Sequence, residues 1–261
     1  MLFSLLLLLL SGYIDKDSDP LDDILSLLLC LYKSSSSSSS EKDFNLNKYG
    51  KLLPFCMIGH SMGGCISILI ANILTNIKNN NNNDNLIQTK FSLQKIKELQ
   101  EISQYFKGIM LLGPAIKLTI SHYIVRFTLQ YVLSPFFPYL SIPGDLNDKT
   151  NDKNIWNNDD YYDYVINDGY PNNPNGLSWG PKIRCRSASV LFDMSEKALL
   201  CSEHCTYPFI IIHDPLDSIV KIDGSRLFFL QAKTSPGNNL NLPSSSSLLL
   251  LLLLLYLVVM L

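Results

Sequence analysis

A chain of 261 residues is long enough to bury one sizeable core, and an α/β fold of this size is commonly a single domain. Hydrophobic residues make up 47% of it, a share inflated by two leucine-rich runs, while a net charge of −2 without any basic stripe excludes an electrostatic case for nucleic acid. The six cysteines (Cys30, Cys56, Cys65, Cys185, Cys201 and Cys205) form no CxxC pair, which argues against a disulfide scaffold and for reduced thiols in a cytoplasmic or membrane-associated protein.

Residues 2–10 are mostly leucine, with none of the basic residues that open a secretory signal, so 1–17 reads as a low-complexity apolar N-terminus. Asp19-Pro20 followed by Asp22 and Asp23 is a helix start, with Asp19 as the capping acid and proline at the first helical position. Leu21, Ile24, Leu25, Leu28, Leu29 and Tyr32 then recur at helical spacing. After the serine tract Ser34–Ser40, the run Pro54–Ile58 (PFCMI) has the length and unbroken apolarity of a parallel strand buried on both faces. A helix is predicted over Cys65–Leu74. The asparagine tract Asn79–Asn83 and the charged stretch Lys95–Glu101 read together as an insertion over about 78–105. A second buried strand follows at Gly108–Leu112, ending at Gly113-Pro114. Phe209–Ile212 is a third strand and Ser225–Lys233 its following helix.

Beyond that, 244–261 is a Ser/Leu tail whose apolar run Leu248–Leu261 is shorter than the ~20 residues that cross a bilayer. It leaves room for membrane association without a span. Strands alternating with helices predict an α/β fold: a parallel sheet with helices on both faces, within a domain over 18–243. Cys201, His204 and Cys205 lie close together, but three ligands with no fourth make a weak metal site. No metal and no cofactor is expected.

The densest chemical signal is Gly59-His60-Ser61-Met62-Gly63-Gly64, a GxSxG string between the first strand and the first following helix. A serine hydroxyl becomes a useful nucleophile when it is held exposed beside a base, and a sharp strand-to-helix turn exposes it. On this reading Ser61 is the nucleophile, and Gly59 and Gly63 are glycines because side chains there would collide across the turn. The amide of Met62, at the helix N-terminus, is an oxyanion donor.

FCMIGHSMGGCISILIANIL resembles the elbow of the monoacylglycerol lipase and lysophospholipase-like branch of the α/β-hydrolases, whose domain is often labelled a serine aminopeptidase-type hydrolase domain. FKGIMLLGPA (Phe106–Ala115) is similar to the strand after the elbow helix. TYPFIIIHDPLDSIVKIDGSRLFFLQAKTSPG (Thr206–Gly237) is similar to the family's acid-bearing strand, loop and helix. The resemblance puts Asp217 at the triad acid, with Asp214 as its local rival, and makes His60 and His213 structural residues. It also makes about 117–200 a helical cap, in which Ile120, Tyr123, Ile124, Phe127 and Tyr131, with Phe136, Phe137 and Tyr139, either line an apolar acyl tunnel or pack the cap onto the body. YVINDGY and KIRCRSASVLFDMSEK are similar to cap sequence as well.

The sequence departs from the family in two places. No histidine follows Asp217; His60, His122, His204 and His213 all precede it, so no triad histidine is identified. The family's early strands and its His-Gly loop, which gives the second oxyanion amide, have no counterpart in residues 1–50. The expectation is a partial hydrolase domain cut short at both ends, read from an incomplete gene model. The implied activity is hydrolysis of acylglycerol or lysophospholipid esters through an acyl-Ser61 intermediate, with this chain inactive for want of a base. Two alternatives stand beside it: a non-catalytic lipid- or partner-binding pseudoenzyme, and a thioesterase or serine peptidase of the same fold.

Overall fold

A computed structural model describes residues 14–16, 18–37, 53–79, 92–118, 123–142, 183–217 and 220–234. In chain order it contains α1 (Ser18–Ser37), β1 (Phe55–His60), α2 (Met62–Lys78), α3 (Leu93–Tyr105) and β2 (Phe106–Leu112). These are followed by α4 (Tyr123–Thr128), a π-helical turn (Leu129–Leu133), α5 (Ser134–Phe136), α6 (Cys185–Leu200), a 3-10 turn (Cys201–His204), β3 (Phe209–Ile212) and α7 (Ile222–Gln231). The three strands form one parallel sheet in the order β1-β2-β3.

Strand register divides the sheet into two faces, because successive side chains alternate. Met57, Ile109 and Phe209 align on one face, as do Gly59, Leu111 and Ile211. Against this face packs α2, whose Ile66, Ile68, Leu69, Ile70 and Leu74 are buried around the fully buried Leu111. On the same face, Phe209 meets the Phe228 ring of α7 edge-on at 5.3 Å. α1, α3 and α6 in turn pack on α2.

Ile58, Met110 and Ile210 align on the opposite face, as do His60, Leu112 and Ile212. Here Ile58 and Ile210 are each 45% exposed and Ile212 is 38% exposed. The expectation of helices on both faces therefore meets a sheet that, among the described residues, is covered on one.

Three further expectations change. α1 starts at Ser18, ahead of Asp19, and the Asp19 carboxylate accepts the Lys16 amide at 2.9 Å from within the first turn instead of standing before it. Leu25 and Leu29 are buried as the periodicity requires. The second half of the expected insertion is a core helix: Leu99 and Ile102 of α3 are fully buried, and Ser92 caps the helix by accepting the Lys95 amide. Lys95, Lys97 and Glu101 are exposed on its outer side, while Glu98 is half-buried and pairs with Lys33 of α1 at 3.1 Å.

In the cap region, Leu129 is buried against Cys185, Ala188 and Phe192 of α6, forming a small separate core. The apolar residues at helical spacing face the other way. Tyr123 and Ile124 are each 77% exposed and Tyr131 64%, with Phe127 and Tyr131 stacked at 4.9 Å. Among the described residues of this stripe, none is buried in packing. Ser34–Ser37 of the serine tract close α1 and Asn79 follows α2, whereas Ile120, YVINDGY, the remainder of both tracts and both leucine-rich ends lie outside the described residues. Among the described residues no helix is long and apolar enough to cross a membrane.

Candidate active site

All three strands run the same way, so their carboxyl ends form one edge, where open α/β sheets hold their ligands. Ser61 follows directly on β1 at this edge with φ 52° and ψ −119°, the one non-glycine residue at positive φ among those described. Such a backbone costs about 1–3 kcal/mol and persists only where its surroundings impose it. The imposing contacts are explicit. The Ser61 amide donates to Leu112 O at 2.9 Å, and the Ser61 carbonyl accepts from both Gly64 N at 3.0 Å and Ala115 N at 2.9 Å. The turn is thus stitched to the end of β2 on one side and to its own helix on the other.

Glycine chemistry in the turn differs in one respect from the sequence reading. A Cβ on Gly59 would sit 2.3 Å from Gly63 O and 2.5 Å from Ser67 Oγ, so a side chain is excluded there. A Cβ on Gly63 would meet nothing within 4 Å; what the close approach uses is its carbonyl. The second sterically required glycine is Gly64, whose Cβ would lie 2.6 Å from the Pro114 ring. The sequence signal was the Gly63-Gly64 doublet, but the deciding contact comes from Pro114, two residues beyond β2. Met62 opens α2, so its amide has no acceptor within the helix and the dipole's positive end lies beside the serine.

Asp217 lies in the loop after β3. Its Oδ1 accepts the Val220 amide at 2.9 Å, and its own amide donates to Asp214 O at 3.1 Å. Its Oδ2 stands 3.7 Å from where a Cβ on Gly113 would be. Leu112 and Gly113 thus stand between the two residues, one bonded to Ser61 and the other beside the Asp217 carboxylate. Asp214 is exposed and uses Oδ1 to accept the Leu216 amide at 2.8 Å, closing the turn that presents Asp217. The rival carboxylate shapes the loop.

The histidines are placed as follows. His213 comes immediately after β3, with its side chain 3% exposed. Its Nδ1 is 2.7 Å from Ser225 Oγ, and its Nε2 is 3.1 Å from Val220 O and 3.7 Å from Asp217 Oδ2. His60 is exposed on the uncovered face, and His204 is exposed in the 3-10 turn. His122 lies outside the described residues. Among the described residues no imidazole hydrogen-bonds Ser61.

The cysteine cluster does not assemble a metal centre among the described residues. Cys205 is buried, its Sγ 3.6 Å from Tyr207 O and 3.9 Å from Thr234 Oγ1, and burial pushes its thiol up. Cys65, in the elbow helix, has its thiol pushed up to about 12 by burial, which makes it a packing residue.

No protein-family model matches the chain, and no curated protein is significantly similar to it. Solved structures are similar. One is a monoacylglycerol lipase of Paleococcus ferrophilus, at TM-score 0.53 and 19% identity over 84% of this chain and 62% of that one. Another is a soluble variant of monoglyceride lipase from Saccharomyces cerevisiae in complex with a substrate analogue, at TM-score 0.53 and 17% identity over 85% of this chain and 59% of that one. The chain therefore spans less than two thirds of the length of these structures. The parallel sheet, the strand–turn–helix at Ser61 and this likeness together make the fold a partial α/β-hydrolase fold of the monoacylglycerol lipase type.

Proposed function

We propose that the chain carries the nucleophile and the acid of a serine hydrolase of the lipase/esterase type, with Ser61 as nucleophile, Asp217 as acid and the Met62 amide as oxyanion donor. The observation that carries this reading is Ser61 itself, held at positive φ where a strand turns into a helix. Attack by Ser61 Oγ on an ester carbonyl forms an acyl-serine and releases the alcohol; water then releases the acid. The oxyanion that develops in each step lies toward the α2 N-terminus. A lipid-like ester, an acylglycerol or a lysophospholipid, fits the lipases of the same fold and the exposed aromatic stripe Tyr123-Phe127-Tyr131.

Turnover by this chain is expected to be poor, because among the described residues no imidazole bonds Ser61, and a serine without its base loses several orders of magnitude. The test is labelling by a serine-directed fluorophosphonate, followed by peptide mapping. Slow labelling at Ser61, accelerated by added imidazole and abolished in Ser61→Ala, is expected; equal labelling of both proteins sinks the assignment.

A second reading, a lipid- or partner-binding pseudoenzyme, is favoured by the full engagement of His213 inside the fold. Saturable monoacylglycerol binding by the folded chain without hydrolysis would establish it. A panel of thioesters and peptides beside oxygen esters tests the thioesterase and peptidase alternatives. Association of the leucine-rich tail with membranes is tested by vesicle flotation of the full chain against one ending at Pro243.

A further inference from the structure

We infer that His213 is a positioning residue for Asp217, acting through the backbone of Val220. This inference rests on the reading of Asp217 as the acid. Three observations carry it. The imidazole is buried and bonded at both nitrogens, to Ser225 Oγ of α7 and to the Val220 carbonyl. Val220 is also the residue whose amide holds Asp217 Oδ1. The remaining carboxylate oxygen, Oδ2, lies 3.7 Å from the same Nε2.

The chemistry fixes the proton at Nε2. A backbone carbonyl only accepts, so Nε2 carries the proton and donates to Val220 O. At Nδ1 the Ser225 hydroxyl, which both donates and accepts, completes the ring's bonding. In this arrangement the ring clamps Val220 from its carbonyl side while Asp217 is held from its amide side. Val220 is tied in turn to the segment leaving β2, through its bridge to Leu118 and the bond from the next residue, Lys221 N, to Lys117 O at 3.0 Å. Losing the Nε2–H donor frees Val220 to shift and leaves its buried carbonyl unpaired, so the Asp217 carboxylate loses its fixed direction.

The test compares His213→Gln, which can still donate at the Nε2 position, with His213→Asn and His213→Leu, which cannot. The full-length chain is used, and NMR reads the exchange rate of the Val220 amide and the ¹³Cγ shift of Asp217. Asn and Leu are expected to speed Val220 exchange about tenfold, the loss of one net hydrogen bond, and to move the Asp217 resonance; Gln restores both. Equal effects of all three substitutions reduce His213 to a packing residue and overturn the inference. Should Asn and Leu fail to fold, the ring of the unaltered protein decides: ¹⁵N correlation spectra showing a protonated Nε2 support the clamp, and a bare Nε2 overturns it. These readouts do not depend on turnover. Fluorophosphonate labelling probes the hydrolase reading separately, so failure of one is distinguishable from failure of the other.

Discussion

The two faces of the sheet carry similar apolar side chains in very different surroundings. Met57, Ile109, Leu111 and Ile211 look into a core built on α2, whereas Ile58, Ile210 and Ile212, one residue along the same strands, look out. The strands read as unbroken apolar runs because both faces of a parallel sheet are normally buried. What the pattern records is a requirement for cover on both sides; it does not say what supplies it. Among the described residues, the exposed face and the outer sides of β1 and β3, which pair with no further strand, are thus where this body is prone to associate.

The contrast can be broken or sharpened by measurement, starting with the largest effect. Cys56 is exposed on the uncovered face, while the Cys65 thiol is held at about 12 by burial. Since the thiolate is the reactive form, iodoacetamide at pH 8 should modify Cys56 faster than Cys65 by at least about a hundredfold, read by peptide mass mapping. Comparable rates would mean that the uncovered face is in fact occluded. Next, Leu111→Ala on the covered face should cost about 3 kcal/mol, against less than about 1 kcal/mol for Ile210→Ala, as measured by urea unfolding.

Within the turn the same logic separates two glycines. Gly59→Ala drives a methyl into Gly63 O and should cost about 2 kcal/mol, whereas Gly63→Ala, with open space around it, should be neutral or gain up to about 1 kcal/mol of helix propensity. Thermal unfolding of the pair is decisive. The smallest expected effect is Ser61→Gly, which relieves the positive-φ strain and should stabilise by less than about 1 kcal/mol while abolishing fluorophosphonate labelling.

Much of the fold was legible because it is written locally. The apolar strand, the tight GxSxG turn and the apolar helix are contiguous, and β1 and α2 extend only a few residues beyond the predicted spans. The parts that were misread depend on distant residues. Gly64 is required because of Pro114, some fifty positions away, so no local rule distinguishes it from Gly63. α3 was hidden by its charge, since one narrow stripe around Leu99 and Ile102 suffices to anchor it. Over residues 123–133, periodicity identified an apolar stripe at Tyr123, Phe127 and Tyr131, but the buried residue of that segment is Leu129, off the stripe. Spacing reveals which side chains share a side of a helix; it is silent on which side meets the body.

The double acceptance at the Ser61 carbonyl also bears on engineering. Ala115 is bonded to that carbonyl, and Ile116 O, one residue on, receives the Ser195 hydroxyl of α6 at 2.6 Å. Residues 113–116 are therefore part of what holds the Ser61 turn, and a chimaera that exchanged the chain from Gly113 onward would replace a piece of that support. Any exchange of the segment that follows should keep residues 113–116 in place and supply a hydroxyl at the position of Ser195.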